Sequence, residues 1–426
     1  MVSGSADSQS LNDSLLQNAT LQNCISYAMA HQPQIQQSLL DEQITEHTIK
    51  SKLADWYPQI DFSYNLQHYF RLPTSVFQGN AVKLGVENTS TAGFSLTQKI
   101  FDKDVLLASR TASDVRTQVK QATENNKIDL SASVSKAFYD VLLTRKQMDL
   151  VEEDIVRLQQ SLTDAYNQYT GGIVDKTDYK RATISLNNAR AQKKQYEELL
   201  KGKYAYLDEL MGLPDNQTLN LVYDTSKMEK EVFLDTSLTV NYENRIEYSI
   251  LQTQKKLQEA NLKYYKWDYI PSVSAFGNYN LSYLNNQFSK LYSTTFPNSY
   301  AGLTLSFPLF EGGKRTQQIK TAELQLKRVD YDILTLKNAV NTEYTQALAV
   351  YKSNLNDFLV LKDNVALAFD VYNTIQLQYK AGIKTYLDVI TAETDLRSSE
   401  VNYTNALYQV LSSKIDVEKA LGTLQY

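Results

Sequence analysis

The sequence contains few of the residues that interrupt regular structure, with only 14 glycines and 7 prolines among 426 residues. Since glycine and proline are the strongest breakers of local structure, their scarcity favours long, continuous helices. Cysteine is almost absent, and the single Cys24 cannot form an internal disulfide. Its neighbours resemble an amphipathic helix, so we expect a structural thiol, with a reactive thiol as the alternative. No run of about 18 apolar residues exists, and the sequence therefore encodes no transmembrane helix.

Charge and reactive residues argue against several classes of function. The chain carries 43 basic and 48 acidic residues without a basic tract, so no nucleic-acid partner is expected. The three histidines are dispersed at His31, His47 and His68, and no HExxH or CxxC pattern is present. The acidic run at 152–154 is interpreted as a solvated helix face rather than an acid–base pair, and "GGK" at 312–314 as a bend into a helix. We therefore predict no enzyme activity, no metal site and no cofactor.

One stretch of the sequence occurs twice. "QYTGGIVDKTDYKRATISL" at 168–186 is followed by "QYKAGIKTYLDVITAETDL" at 378–396, at an offset of 210 residues. Other similar pairs follow the same order, namely Gly212 with Gly422, 93–102 with 302–311, and 56–66 with 268–281. We interpret the pattern as an internal duplication, in which each half contains a helix, two strands and two long helices.

Apolar residues of the second half recur by threes and fours, at an average step of about 3.5 residues, the coiled-coil period. This stripe consists of Ile319, Ala322, Leu326, Val329, Ile333, Leu336, Val340, Tyr344, Ala347, Tyr351, Leu355, Phe358, Leu361, Val365, Phe369 and Tyr372. It predicts a helix over 312–378, roughly 100 Å long at ~1.5 Å per residue, and a matching helix over 103–168. The repeated stretches are then helix tips, because Gly172 and Gly382 tolerate the positive φ that a reversal requires.

Short segments at 59–68, 272–283 and 300–307 alternate between apolar and polar residues instead. Alternating segments of about ten residues fit transmembrane β-strands, and an ordinary half-buried sheet is the alternative. Four aromatic residues at equivalent strand starts and ends are expected to form an interfacial girdle, with core packing as the alternative; they are Trp56, Phe101, Trp267 and Phe310. Four strands cannot close a barrel, so several chains would each have to contribute their strands.

The chain resembles the TolC family of outer-membrane efflux proteins over about residues 15–425. The resemblance rests on "TLQNCISYAMAHQPQIQ", on Pro58 and Pro271 at the strand starts, on "FPLFEGGKR", and on the tip "YKAGIKTYLDVITA". It implies a mixed α and β membrane protein with two internal repeats, each with a transmembrane β-hairpin and very long coiled-coil helices. It also implies a homotrimer that forms one twelve-stranded β-barrel and a twelve-helix periplasmic α-barrel.

These expectations divide the chain into segments. They are a disordered start and cloning remnant at 1–12, an N-terminal helix at 13–55, a β-hairpin at 56–101, a helical hairpin at 102–211 with its tip near 170–178, an equatorial linker at 212–245, a helix at 246–266, a second β-hairpin at 267–310, a second helical hairpin at 311–421 with its tip near 380–388, and a C-terminal end at 422–426. No signal peptide is visible, so an export signal is expected to have been removed.

The resemblance also implies roles for the tips, which in this family close the tunnel and meet a periplasmic adaptor. By alignment on the glycines, the gate latch comprises Thr177, Asp178, Tyr379 and Lys384. Lys384 departs from the arginine of the family, and it keeps the charge but loses the bidentate fork. Asp388 aligns with a carboxylate of the selectivity ring, whereas Thr391 replaces a second one. The adaptor-contact residues are Gly172, Ile173, Val174, Gly382 and Ile383. A solvated turn side chain is the alternative for each tip residue.

The function implied is a passive exit duct in the outer membrane of a Gram-negative bacterium, extending into the periplasm. Its partners would be outer-membrane lipid, a periplasmic adaptor (membrane fusion) protein and an inner-membrane RND, ABC or MFS transporter of an efflux or type I secretion system. The alternative is a non-conducting coiled-coil structural or adhesive envelope protein. The cargo does not follow from the sequence.

Overall fold

The computed structural model describes residues 19–214, 219–222 and 225–426. Its helices are α1 (Leu21–His31), α2 (Pro33–Ala54), α3 (Lys103–Thr170), α4 (Lys176–Met211), α5 (Thr225–Glu231), α6 (Ile246–Lys266), α7 (Lys314–Lys380) and α8 (Tyr386–Leu421). Its strands are β1 (Gln59–His68), β2 (Thr74–Phe77), β3 (Asn80–Lys83), β4 (Asn88–Phe101), β5 (Ser272–Asn285) and β6 (Thr295–Ser306). The start at 1–12 lies outside the described residues.

The chain divides into two compact units. The first comprises residues up to 40, 121–250 and 333–426, and the second comprises residues 41–120 and 251–332. The long helices predicted at 103–168 and 312–378 correspond to α3 and α7, which run through both sets of residues. None of the described helices carries a stretch that is long and apolar enough to cross a membrane.

The helix predicted at 13–55 is two helices, so this prediction is wrong in its continuity. α1 ends at His31 and α2 begins at Pro33, while Gln32 between them is extended, with φ −63° and ψ 123°. The cause is local, because a proline disfavours helical backbone at the residue before it and is well suited to the first position of a new helix. Residues 13–18 lie outside the described part of the chain.

The second unit contains an antiparallel four-stranded sheet in the order β1-β4-β5-β6. The pairing register aligns the alternating faces of the strands, so that Phe62 stands opposite Phe94 and Phe94 opposite Tyr279. One face therefore carries the apolar side chains of all four strands: Ile60, Phe62, Leu66, Ala92, Phe94, Leu96, Val273, Ala275, Leu281, Ala301, Leu303 and Leu305. The other face is mainly polar, and Asn280 donates to Asn298 across it at 3.0 Å.

The two connections at the far ends of these strands differ in structure. Between β1 and β4 the chain forms the small β2–β3 hairpin, whose turn residues Gln78 and Gly79 both have positive φ, as a type I′ turn requires. Between β5 and β6 lies a 3₁₀ helix, Phe288–Ser293. Its Leu291 is buried, and the hydroxyl of Tyr292 lies 2.6 Å from that of Tyr64 on the apolar face.

The core of the first unit is helical. Cys24 on α1 is fully buried in it, and burial, reinforced by the nearby Asp208 carboxylate, raises the pKa of the thiol to about 12. The expectation of a structural thiol is therefore confirmed by the burial of Cys24, because a buried thiol that stays protonated is unreactive. In the predicted apolar stripe of α7, Tyr351, Phe358 and Tyr372 are buried. The prediction is wrong at Phe369, which is 51% exposed.

The predicted equatorial linker at 212–245 contains α5 and a 3₁₀ turn, Tyr242–Asn244, within its described residues. Arg245 follows this turn and is buried. Its guanidinium donates to the carbonyls of Lys419 and Ala420 at 3.2 and 3.0 Å, and to the carboxylates of Glu247 and Glu343. The arginine thus gives a partner to the carbonyl of Ala420 and adds a second one to that of Lys419, which also accepts from the N–H of Gly422 at 3.0 Å.

Gly212 and Gly422 end α4 and α8, both in the left-handed conformation. A Cβ at Gly212 would lie 2.8 Å from the carbonyl oxygen of His31, and a Cβ at Gly422 would lie 2.6 Å from that of Asn244. Both glycines therefore allow a close approach of backbone as well as a helix stop. These two residues stand at the 210-residue offset of the sequence repeat.

Gly422→Ala should destabilise the protein by more than about 1 kcal/mol, because alanine is strained at positive φ and its Cβ would collide with Asn244. Gly202→Ala is the matched control, since Gly202 lies inside α4 and its added Cβ would meet nothing within 4 Å. The control should stabilise by about 0.4–1 kcal/mol. Thermal unfolding of the two purified variants, followed by helical circular dichroism, measures both changes in stability. Equal shifts in Tm would contradict the special role of Gly422.

Candidate functional site

The two helix tips have the same backbone hydrogen bonds. At the first tip, the N–H of Gly172 donates to the carbonyl of Tyr169 at 3.0 Å, and that of Ile173 to Gln168 at 2.9 Å. The second tip repeats this pattern at Gly382, which donates to Tyr379, and at Ile383, which donates to Gln378. Both glycines have positive φ, 71° and 73°. Each tip is therefore a Schellman motif, which satisfies the last carbonyls of α3 and α7.

The new helix after each tip starts with a side-chain cap. Asp175 caps α4 by accepting from the N–H of Thr177 at 2.8 Å and from its hydroxyl. Thr385 and Asp388 cap α8 reciprocally: Thr385 N–H donates to the Asp388 carboxylate at 2.9 Å, and Asp388 N–H to the Thr385 hydroxyl at 3.4 Å. This capping box fixes the direction in which α8 leaves the tip.

Asp388, the predicted selectivity-ring residue, is therefore also a structural residue. The hydroxyl and N–H of Thr385 hold the pKa of its carboxyl below the usual range, with a smaller contribution from Lys384. Lys384 Nζ lies 3.8 Å from Asp388 Oδ1 within the same chain, and both side chains are partly exposed. Among the described residues of one chain, Lys384 pairs with Asp388 and not with Asp178, its predicted latch partner.

Tyr379 connects the two tips of one chain. Its hydroxyl donates to Gln168 Oε1 at 2.8 Å, so this latch residue bonds within the chain at a position that the sequence did not indicate. Burial, followed by the nearby carboxylates of Asp178 and Asp164, raises the pKa of Tyr379. Asp178 thus influences Tyr379 within one chain, whereas the hydroxyl of Thr177 is engaged by Asp175. The predicted latch between protomers stays a prediction.

The predicted adaptor-contact residues lie at the surface. Ile173 is 75% exposed and Ile383 is 72% exposed, while Gly172 and Gly382 are also exposed and Val174 is partly buried. An isoleucine in this position after the glycine commonly packs back on its own helix. Here the two side chains instead present apolar surface to the solvent.

The predicted girdle residues all lie where strands meet helices in the second unit. Trp56 follows α2, Phe101 is the last residue of β4, and Phe310 lies between β6 and α7 with its ring exposed. Trp267 begins a 3₁₀ turn, and the guanidinium of Arg110 lies 5.1 Å from its ring centroid. Trp56 and Phe310 are not core residues, which argues against the alternative of core packing for these two.

The acidic run at 152–154 is not wholly a solvated face, so that prediction is wrong at Asp154. Asp154 is buried and forms an ion pair with Arg157, which also lies 3.8 Å from Glu400 of α8. Glu393 of α8 is buried nearby. The place of Asp154 on a buried helix face could have been predicted from the sequence, because Val151, Asp154 and Leu158 have the spacing of one such face.

The comparisons with known proteins assign the family. The family model described as "Outer membrane efflux protein" matches residues 24–213 and 247–423. The chain belongs to the outer membrane efflux protein family. It is 21% identical to outer membrane protein TolC of Salmonella enteritidis, over 96% of this chain and 83% of that protein.

Solved structures agree on the fold. The outer membrane protein VceC of Vibrio cholerae superposes with a TM-score of 0.74 at 14% identity, covering 96% of this chain and 98% of that one. The MtrE outer membrane channel of Neisseria gonorrhoeae, in its open state, gives a TM-score of 0.75 at 16% identity, covering 94% and 88%. At such low identity these matches support the fold alone.

Thr385→Ala should loosen the start of α8, because it removes the N-cap hydroxyl. We expect amide exchange in the first turn of α8 to become about fivefold faster, the factor for a cap worth ~1 kcal/mol. The protection should also fall in acid: the pKa of Asp388 is lowered by folding, so its contribution is present above the unfolded pKa and lost as pH drops through the folded one. Thr391→Ala, farther along the same helix, is the control, and identical exchange in both variants would refute the cap.

Proposed function

We propose that the chain is one protomer of a homotrimeric exit duct in the outer membrane of a Gram-negative bacterium. In this proposal the duct serves a tripartite efflux pump or type I secretion system and has no enzymatic activity of its own. The observation that carries it is the four-stranded sheet, whose register sets one apolar face against one polar face. Membership of the outer membrane efflux protein family supports the same conclusion.

The edges of the sheet support assembly with other copies. β1 and β6 each pair with a single strand among the described residues, so each leaves one edge open. A bilayer tolerates no open edge, because its core offers no water to satisfy the backbone. Three copies joined edge to edge would give twelve strands and one closed barrel, with the apolar face toward lipid and the polar face toward the lumen.

The long helices also need neighbours. Although Tyr351 and Phe358 of α7 are buried, other large apolar side chains of this helix are exposed in a single chain. They are Leu324, Tyr331, Leu334, Val350, Leu359, Val360, Leu367, Phe369, Val371 and Leu377. We propose that the neighbouring protomers cover them, so that four long helices per chain form a twelve-helix tunnel in the periplasm. The internal duplication would supply the pseudo-symmetry of this tunnel.

The tips would then be the gate and the adaptor-binding surface. Exposed Ile173 and Ile383 offer apolar contacts to a periplasmic adaptor, which in turn would connect the duct to an RND, ABC or MFS transporter. Lys384 would reach Asp178 of the next protomer and hold the tips closed, with Thr177 and Tyr379 nearby. Asp388 would supply one carboxylate per chain at the pore entrance. Cargo selection is assigned to the pump in this proposal, because the tunnel wall would be built from generic polar residues.

Arginine at Phe62 or Leu305 should impair trimer assembly, because it would put a charge on the lipid-facing side. The cost is ~2–4 kcal/mol near mid-bilayer and smaller toward the interface, so the effect should be weaker at Leu305, one residue from the end of β6. Arginine at the adjacent Ser63 or Ser306 is the matched control, since these residues lie on the polar face. Trimer yield after membrane extraction is the measurement. If all four variants assemble equally well, the assignment of the faces is wrong and the sheet does not span a bilayer.

Lys384→Ala should raise the conductance of purified channels in planar bilayers severalfold, and Asp178→Ala should do the same. The double variant should add little, since both changes break one bond. Lys380→Ala is the control, because it removes an exposed lysine at the end of α7. Asp388→Asn should lower cation selectivity without opening the gate, while its amide oxygen can still accept from Thr385.

Two outcomes would contradict this assignment of the tips. An unchanged conductance in Lys384→Ala, together with opening in Asp388→Asn, would mean that the pair within one chain closes the gate. The absence of any conductance in the assembled wild-type protein would instead favour a non-conducting structural or adhesive envelope protein.

A further inference from the structure

A small polar cavity lies inside the first unit, where α3 and α4 meet α8. Its volume is about 60 Å³, enough to hold water. Its polar lining comes from three helices and consists of Asp154, Ser185, Asn188, Glu393, Thr394 and Arg397. The cavity therefore lies between the two helical hairpins of one chain, the first formed by α3 and α4 and the second by α7 and α8.

Two carboxylates at this cavity each have an oxygen without a hydrogen bond. Asp154 is 1% exposed and Glu393 is 6% exposed. Within the described part of the chain, neither Asp154 Oδ2 nor Glu393 Oε1 has a hydrogen-bond partner. A buried carboxylate without partners is costly when charged, and it avoids that cost by binding a proton.

The groups around Glu393 do not neutralise it by direct contact. From α3, Arg157 forms its ion pair with Asp154. From α8 itself, Arg397 lines the cavity and Tyr386 is buried close by, with no partner for its hydroxyl among the described residues. From α7, Tyr372 is buried in the same region, and α4 contributes only the uncharged Ser185 and Asn188.

We propose that Glu393 is a proton-binding site whose occupancy controls how firmly the two helical hairpins of one chain pack together. When Glu393 is neutral, its carboxyl can donate a hydrogen bond into the cavity and lies beside Asp154 without repulsion. When it is ionised, two carboxylates face one small cavity, and hydration of the charge favours separation of α8 from α3. The ligand is the proton, and the hairpin packing becomes sensitive to the pH around the helices.

The electrostatics agree with this geometry. Burial raises the pKa of Glu393 to about 7; the Asp154 carboxylate adds to the rise, while Arg157 and Arg397 oppose it. The ordinary value is 4.5. Since folding raises the pKa, the folded protein binds the proton more tightly than the unfolded chain. The stabilisation is thus complete below about pH 4.5 and is lost as pH rises through about 7.

The test compares wild type with Glu393→Gln, in which the site is permanently neutral. Thermal unfolding of the detergent-solubilised protein should give similar Tm values for the two at acidic pH. Above neutrality the Tm of the wild type should fall below that of the variant. The difference should correspond to a change on the order of a hundredfold in the unfolding equilibrium constant of the wild type. An infrared titration should also contain a protonated-carboxyl band that disappears near pH 7 in wild type and is absent from the variant.

Two further variants make the result decisive. Asp154→Asn should move the midpoint to lower pH, because it removes the charge that helps Glu393 to keep its proton. Asp395→Asn, at an exposed position two residues from Glu393 on α8, should titrate like wild type. A difference between Glu393→Gln and wild type that is the same at every pH would overturn the proposal, and so would an unmoved midpoint in Asp154→Asn. Should Glu393→Gln fail to fold, the pH midpoint of the titration in Asp154→Asn alone decides whether the proposal stands.

This proton site goes beyond the proposed duct, and neither readout depends on conduction. If the protein shows the titration but no conductance, the proton-site proposal stands and the duct proposal fails. If the protein conducts but shows no titration, the duct proposal stands and the proton-site proposal fails.

Discussion

A bilayer offers no water to a polar backbone, and this constraint accounts for more of the proposed architecture than any single contact. Within one chain the sheet meets it between neighbouring strands, from β1 to β6, through a continuous antiparallel register. At the outer edges of β1 and β6, however, the backbone groups have no partner strand among the described residues. In the proposed duct the missing partners are copies of the chain itself, because four strands per chain are too few to close a barrel alone. The exposed apolar residues of α7 are then buried by the same assembly step.

The features that the sequence predicted well are those with a local physical cause. A helix that reverses needs positive φ at one residue, so Gly172 and Gly382 could be identified without knowledge of the fold. Strand faces follow from a period of two, and the pairing register aligned them as expected at Phe62 and Leu305. The break before Pro33 was equally local and was missed, although the rule for residues before proline would have found it.

The features that were missed depend on pairing between distant segments. The bond of Tyr379 to Gln168 joins residues 211 positions apart. The burial of Asp154 requires that α3 pack against α8, which no local pattern specifies. A charged residue on the buried face of a helix could have been noted, but its partner could not have been named. The proposed latch between protomers stays a prediction, because in a single chain Lys384 lies near its own Asp388.

Carboxylates at the tips and behind them occupy three environments, and each environment fixes a different role. Asp175 and Asp388 accept hydrogen bonds from helix N-termini, which keeps them ionised and holds the turn geometry. The exposed pair of Lys384 with Asp388 is weak, because solvent screens it, so exchange of Lys384 to another carboxylate requires little free energy. Glu393 is buried beside a small polar cavity, and there a single proton changes its charge with few neighbouring groups to compensate. A gate built in this way would combine rigid tips, a lysine that can change partners, and hairpin packing that responds to pH. The first two share Asp388, whereas the pH response at Glu393 uses none of the tip side chains.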